Sequence, residues 1–321
     1  MPDRQWTGNC IIREYRIGLH MNGIIIVNKE PGFTSHDVVA KLRGILHFKK
    51  IGHTGTLDPD AEGVLPVCVG KATKVCDLLT DRDKTYTAVV KLGVTTDTLD
   101  MTGEILSRAA VSVTEDALRA VLREFTGELE QVPPMYSAIK VNGKRLYELA
   151  RQGKEVERQA RRVVIHRLIL TESDLPEDEF TIEITCSKGT YIRALCRDIG
   201  ERLGCGAAMK HLVRTRVGDF CLPDALTLTE IEERAKASPS GGEELLMPVD
   251  SVFSMYGSCH VSEKAMRFLQ NGNKVAARLC RYEPSDGEMV RMYGADGEFY
   301  ALYRYEGKDK MYHVVKMFHE G

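Results

Sequence analysis

Gly52-His53-Thr54-Gly55-Thr56-Leu57-Asp58-Pro59-Asp60-Ala61-Glu62-Gly63 is the stretch that tells most about this chain. Among its three carboxylates one, Asp58, reads as buried, and the stretch packs these with one histidine and three glycines into a segment that reads as neither helix nor strand. Gly52, Gly55 and Gly63 permit backbone angles closed to other residues. Pro59 fixes its own φ and pushes Asp58 towards an extended conformation. Asp58 is therefore expected on a shaped loop, the kind of support from which folds aim polar groups at ligands. The same residue types also build ordinary turns, so the meaning of the loop depends on what surrounds it.

Two ligand-binding readings fail on spacing. Asp58-Pro-Asp60-Ala-Glu62-Gly63 opens like a calcium-binding loop, but the twelfth position, which must be a bidentate Glu, is Val69. Gly63 to Gly70-Lys71 faintly resembles a phosphate-binding loop, yet the glycines are too far apart and Ala72 stands where Ser or Thr would hold magnesium. Ser137-x-x-Lys140 fits a β-lactamase nucleophile pattern whose companion motifs are absent.

With 321 residues the chain is expected to form about two domains. No apolar run approaches the length of about 18 residues needed to span a bilayer. Residues 1–20 lack the continuous apolar core of a signal peptide and read as an extension before Met21. The nine cysteines contain no Cys-x-x-Cys pair, which excludes zinc ribbons and thioredoxin-like motifs. Scattered through apolar stretches, they point to a reducing cytoplasm without disulfides. A net charge of −2 hides strong asymmetry. Nine basic residues against three acidic ones lie between Lys140 and Arg167 (Arg158 and Arg161 among them), whereas Asp219–Asp250 is strongly acidic. Lys41, Arg43, Lys49 and Lys50 add a second basic cluster. Such a pattern suits a polyanionic partner such as nucleic acid.

Hydrophobic periodicity predicts a strand at Gly23–Val27, then a helix through Val38–Leu46 capped by Thr34 or Ser35. Further strands are expected at 64–69, 85–92, 137–141, 163–170 and 180–186, with helices near 73–79, 114–125 and 191–203. Thr227-Leu-Thr-Glu230 is a capping-box pattern opening another helix. Lys236 to Glu243 is the best linker by composition. Beyond it lies a mostly β module of about 70 residues. The larger part mixes helices and strands without regular βαβ alternation, so the expected class is α+β with a mixed sheet.

Gly52–Gly63, Lys84-Thr-Tyr86, Val132–Lys140 and Lys188–Arg193 occur in order, with agreement also at Val27-Asn-Lys29-x-Pro31-Gly32 and Leu212-x-Arg214. Together these segments resemble the TruB family of tRNA pseudouridine-55 synthases from about Met21 to Asp250. The resemblance implies a mixed-sheet catalytic domain over 21–248 and a small PUA-like RNA-binding β-barrel domain over 249–321. It also implies that Asp58 is the catalytic aspartate, that Arg193 pairs with it, and that Tyr86 stacks on the target uracil and is a candidate for proton transfer at C5. His53, Tyr191 and Leu212 match residues that line the flipped nucleotide. The implied substrate is the T-arm of tRNA, with no obligatory protein partner. The isomerisation is redox-neutral and needs no external energy, so no cofactor or metal is expected. A non-catalytic RNA-binding protein or tRNA-folding chaperone on the same scaffold is the alternative, and a guide-dependent relative is a second one.

Overall fold

A computed structural model describes residues 21–141 and 143–319; the expected extension, residues 1–20, lies outside them. Among the described residues the larger unit is built on a nine-stranded sheet. Its order is Gly23–Lys29, Glu62–Val69, Ala207–Val217, Lys84–Leu92, Glu179–Cys186, Arg161–Asp174 and Gly127–Gln131, with Ile51–His53 and Phe220–Cys221 attached at the sides. Neighbours run antiparallel except where Val213 and Arg214 meet Glu62 and Gly63 in parallel. The sheet is mixed, as expected.

Alternation explains which face is covered. Ala88, Val90 and Leu92 share one face with Phe180, Ile182 and Ile184, and the helices Glu115–Glu124 and Ile192–Arg202 close over it. At the other end Ile25, Val27, Leu65 and Val67 pack beneath the helices Ser35–Ile45 and Leu228–Ala237. Both of these helices begin with a capping box, Thr34 with Asp37 and Thr227 with Glu230.

The stretch around Asp58 departs from its reading at both ends. Gly52 and His53 pair with Cys68 and Val67, and Glu62 and Gly63 already belong to the next strand. Only 54–61 is loop. Close approach demands glycine at one of these positions: Gly63 has φ 101°, and a Cβ would lie 2.2 Å from the Arg214 carbonyl oxygen. Gly63→Ala is therefore expected to destabilise the fold by at least about 2 kcal/mol, checked by the midpoint of denaturant unfolding.

Three other elements differ from expectation. The strand expected at 137–141 shrinks to Lys140–Val141. Ser137 and Ile139 instead accept from the amides of Tyr147 and Leu146, so their carbonyls hold the start of a short helix. The helix near 73–79 is a 3-10 turn, Gly70–Val75, continued by Cys76–Thr80. The linker after Ala237 is brief, because Leu245 and Leu246 pack against the cluster of Ile25, Val27, Leu65 and Val67, and Met247 exchanges backbone hydrogen bonds with Ile24.

The C-terminal module is a curled half-barrel of five strands: Gly257–His260, Met289–Tyr293, Phe299–Glu306, Met311–Met317 and Val275–Ala276. Tyr300, Tyr303 and Tyr312 fill its core. Leu302 and Phe318 join Val252 and Phe253 against Ile24, Ile26, Val64 and Val217 of the large sheet. We propose a domain boundary after residue 248, just past the bridge to Ile24.

Candidate active site

The loop 54–61 is held from several sides by groups that spend their hydrogen bonds on its backbone. The Ser35 hydroxyl accepts from the Leu57 amide at 3.0 Å. Lys29, fully buried, donates to the carbonyls of Pro59 and Phe33, both at 2.7 Å. Burial lowers its pKa to about 8. Arg214, 1% exposed, donates to Val64 O at 2.7 Å and Gly55 O at 3.2 Å. A loop pinned at so many points presents Asp58 in one geometry.

Asp58 meets Arg193 at two points. Arg193 Nε lies 2.9 Å from Asp58 Oδ2 and NH2 lies 3.2 Å from Oδ1. This two-point pairing is the strong, oriented form of the interaction. The guanidinium is itself buried. It also donates to Thr98 O at 2.8 Å and Tyr136 O at 2.9 Å, and approaches Asp100 at 3.5 Å. Desolvation raises the Asp58 pKa, Arg193 pulls it down, and Asp100 adds to the rise. Although the residue sits deep in the fold, 43% of its side chain is open to the cleft. The net direction is upward, and water at the open side together with the paired guanidinium opposes that rise.

Arg193 lies in the first turn of Ile192–Arg202, with Tyr191 as N-cap residue. Gln131 grips the Tyr191 backbone from both sides, accepting from its amide at 2.8 Å and donating to its carbonyl at 3.1 Å. Tyr86 is buried within the cluster that holds Leu57, Ile192 and Leu212. Burial raises the Tyr86 pKa, the neighbouring Arg214 opposes that, and the charge of Asp58 acts on both Tyr86 and Tyr191. The structure thus gathers Asp58, Arg193, Tyr86, Tyr191 and Leu212 in one neighbourhood. His53 stands at one remove. Its ring meets His36 edge-on at 5.2 Å, and burial first, then His36 and Arg214, lower its pKa to about 4. It is neutral at physiological pH.

Sequence reasoning assigned no role to Asp100, Gln131, Lys29 or Arg214. Lys29 and Arg214 stood inside recognised motifs. Asp100 was hidden in Asp97-Thr-Leu-Asp-Met-Thr-Gly103, which reads as a plain turn. The turn is real: Asp100 Oδ1 accepts from the hydroxyls of Thr98 and Thr102 and from the Thr102 amide. Among the described residues, the side chains grouped as metal ligands are Glu306, Asp309 and His313. They lie on the C-terminal hairpin, away from Asp58.

The chain is similar to known proteins. Residues 43–192 match the N-terminal domain of the TruB family pseudouridylate synthases, and residues 193–254 match the C-terminal domain of tRNA pseudouridylate synthase B. The chain is 54% identical to tRNA pseudouridine synthase B of Lachnoclostridium phytofermentans, over 93% of this chain and 100% of that one. It is 46% identical to the enzyme of the same name from Cupriavidus metallidurans, over 92% and 95%. Among solved structures, a Cbf5-Nop10-Gar1 complex superposes with TM-score 0.69 at 27% identity, covering 94% of this chain and 86% of that chain. An H/ACA RNP bound to a substrate RNA containing 2′-deoxyuridine gives 0.68 at 25% identity, covering 92% and 85%. With matching domains over most of its length and close relatives over nearly all of it, the chain belongs to the TruB family of pseudouridylate synthases.

Proposed function

We propose that this chain converts uridine 55 in the T-loop of tRNA to pseudouridine, with Asp58 as the residue that acts on the ribose. The observation that carries this reading is the carboxylate paired at two points with a buried guanidinium, yet open to the cleft. Such a group is both charged and reachable. The target uridine leaves its stack at a cost of a few kcal/mol, offset by roughly 1–3 kcal/mol from stacking on Tyr86. Asp58 then either attacks C1′ or removes a proton from C2′. In both routes the C1′–N1 bond breaks, the uracil turns over, and C5 joins C1′. Deuterium at C2′ of the target distinguishes them, since only proton abstraction gives a primary isotope effect. Tyr191 and Leu212 wall the detached base away from water.

RNA grip is assigned to the basic stretch, with one revision. Arg158 turns inward: it is 19% exposed, pairs with Glu155 and donates to Pro133 O at 3.1 Å. Lys140, Arg151, Lys154 and Arg161 are exposed and take the role of gripping phosphates. Lys140→Glu with Lys154→Glu is expected to weaken tRNA binding and flatten its salt dependence, by about one slope unit for each phosphate no longer neutralised. Filter binding from low to high salt checks this, and an unchanged slope removes these lysines from the interface.

High identity to bacterial enzymes named for tRNA supports a stand-alone enzyme in the cytoplasm, over one that needs a guide and partner proteins. No helix among the described residues is long and apolar enough to cross a membrane. The deciding experiment incubates purified chain with an unmodified tRNA transcript and maps pseudouridine by chemical tagging. Modification confined to position 55 is expected. An unmodified transcript refutes the proposal, and a transcript that is refolded but left unmodified favours the chaperone alternative.

A further inference from the structure

Arg214 is a buried cation without a buried anion. Among the described residues no carboxylate lies within ion-pair distance of it. Its hydrogen bonds go to two carbonyls, Val64 O and Gly55 O. A guanidinium this deep carries a large desolvation cost, which folds normally offset with a counter-charge. The ionisable group that favours its charge is the phenol of Tyr86, while Arg214 itself bears on Lys29, Lys84 and His53. The two residues face each other directly across the strand pair, in register Tyr86↔Arg214, so their side chains leave the sheet on the same face. One side chain thus touches the backbone of the Asp58 loop and the residue placed above the target base.

We propose that Arg214 is a positioning residue that holds the Tyr86 hydroxyl in place and stabilises its phenolate while hydrogen leaves C5 of the uracil. This rests on the reading of Tyr86 as the base at C5. After C1′ has joined C5, that carbon carries both the new bond and its original hydrogen. The C5–H bond breaks, its proton passing to the phenolate oxygen and its electron pair closing the C5–C6 double bond. N1, relieved of its double bond to C6, takes a proton from water, and the phenol returns its own proton to water. Three charged or titratable groups act on Tyr86: Arg214 on one neighbouring strand, Cys186 on the other, and Asp58 from the loop. Arg214 is the cation among them. Burial by itself favours the neutral phenol, so without this guanidinium the base form becomes scarcer.

The test uses the full chain, tRNA carrying deuterium at C5 of the target uridine, and single-turnover rates. Arg214→Gln keeps hydrogen-bonding capacity and removes the charge. It is expected to slow pseudouridine formation by about 10²-fold and to raise the C5 isotope effect above that of the unaltered enzyme. The part of the rate profile set by phenolate formation, separate from the acidic limb set by Asp58, should also move to higher pH, because burial already raises the Tyr86 pKa and the guanidinium no longer opposes it. Arg214→Lys, which keeps the charge, is expected to recover at least a tenth of the rate. It decides the matter if the glutamine variant does not fold.

A purely architectural Arg214 slows every step alike, so an unchanged isotope effect in a folded, tRNA-binding Arg214→Gln overturns the proposal. So does an Arg214→Lys chain that folds, binds, and is as slow as Tyr86→Phe with no change in isotope effect. Tyr86→Phe separates the two levels. If it reacts at the unaltered rate, the base assignment itself fails. If it is slow beside an Arg214→Gln with an unaltered isotope effect, Tyr86 stays and Arg214 goes.

Discussion

Asp58→Asn is expected to reduce pseudouridine formation by at least roughly 10⁴-fold, the scale of losing a residue that acts on the reacting atoms, while tRNA affinity changes only a few-fold. The substitution preserves shape and removes charge. An asparagine oxygen can still accept from Arg193 Nε, whereas its amide nitrogen meets NH2 donor to donor. The local cost is small because 43% of the Asp58 side chain faces the cleft and the loop is held by Lys29, Ser35 and Arg214 independently of that carboxyl. Single-turnover rates and filter binding on the same preparation separate the outcomes. Affinity falling in step with activity would make Asp58 a structural residue.

Arg193→Met is the second large effect, expected at about 10²–10³-fold near neutral pH. It leaves Asp58 and Asp100 on one wall with no cation between them. Burial and Asp100 already hold the Asp58 pKa above its ordinary value against the pull of Arg193, so removing Arg193 raises it further. In the proposed mechanism the active species is the anion. A raised pKa therefore moves the acidic limb of the rate profile to higher pH, and the deficit shrinks as pH increases. A thermal melt guards against unfolding, since the carbonyls of Thr98 and Tyr136 also lose a donor. A rate profile superposing on that of the unaltered enzyme would take Arg193 out of the chemistry.

What could be read in advance was local or carried by motif. Thr34 and Thr227 announce their helices because a cap and its partner lie three residues apart. The alternation from Lys84 to Leu92 shows which side is buried. Asp58 and Arg193 came from recognised segments, 135 residues apart in the chain, and no periodicity could have joined them. Register is the clearest loss. The facing of Tyr86 and Arg214 follows from the pairing of strands 84–92 and 207–217, which sequence spacing does not encode. Gly52 and Gly63 misled for the opposite reason. Glycine argues against strand by propensity, yet both sit within one: at Gly63 the Arg214 backbone leaves no room for a Cβ, whereas at Gly52 a Cβ would make only an ordinary contact with Cys76. The 137–141 segment failed because Pro133 and Pro134 direct the chain into turns whose carbonyls serve the next helix.

Arg193 spends three hydrogen bonds within this chain, on Asp58 and on the carbonyls of residues 98 and 136, and its guanidinium also faces Asp58 and Asp100 as ion partners. A group so engaged has little left for a guest. If the chain acts as proposed, its innermost cation serves the carboxylate and leaves the choice among RNAs to the rim. Loops there can be lengthened, shortened or recharged over evolutionary time, and the clientele changed, without disturbing the furnace inside.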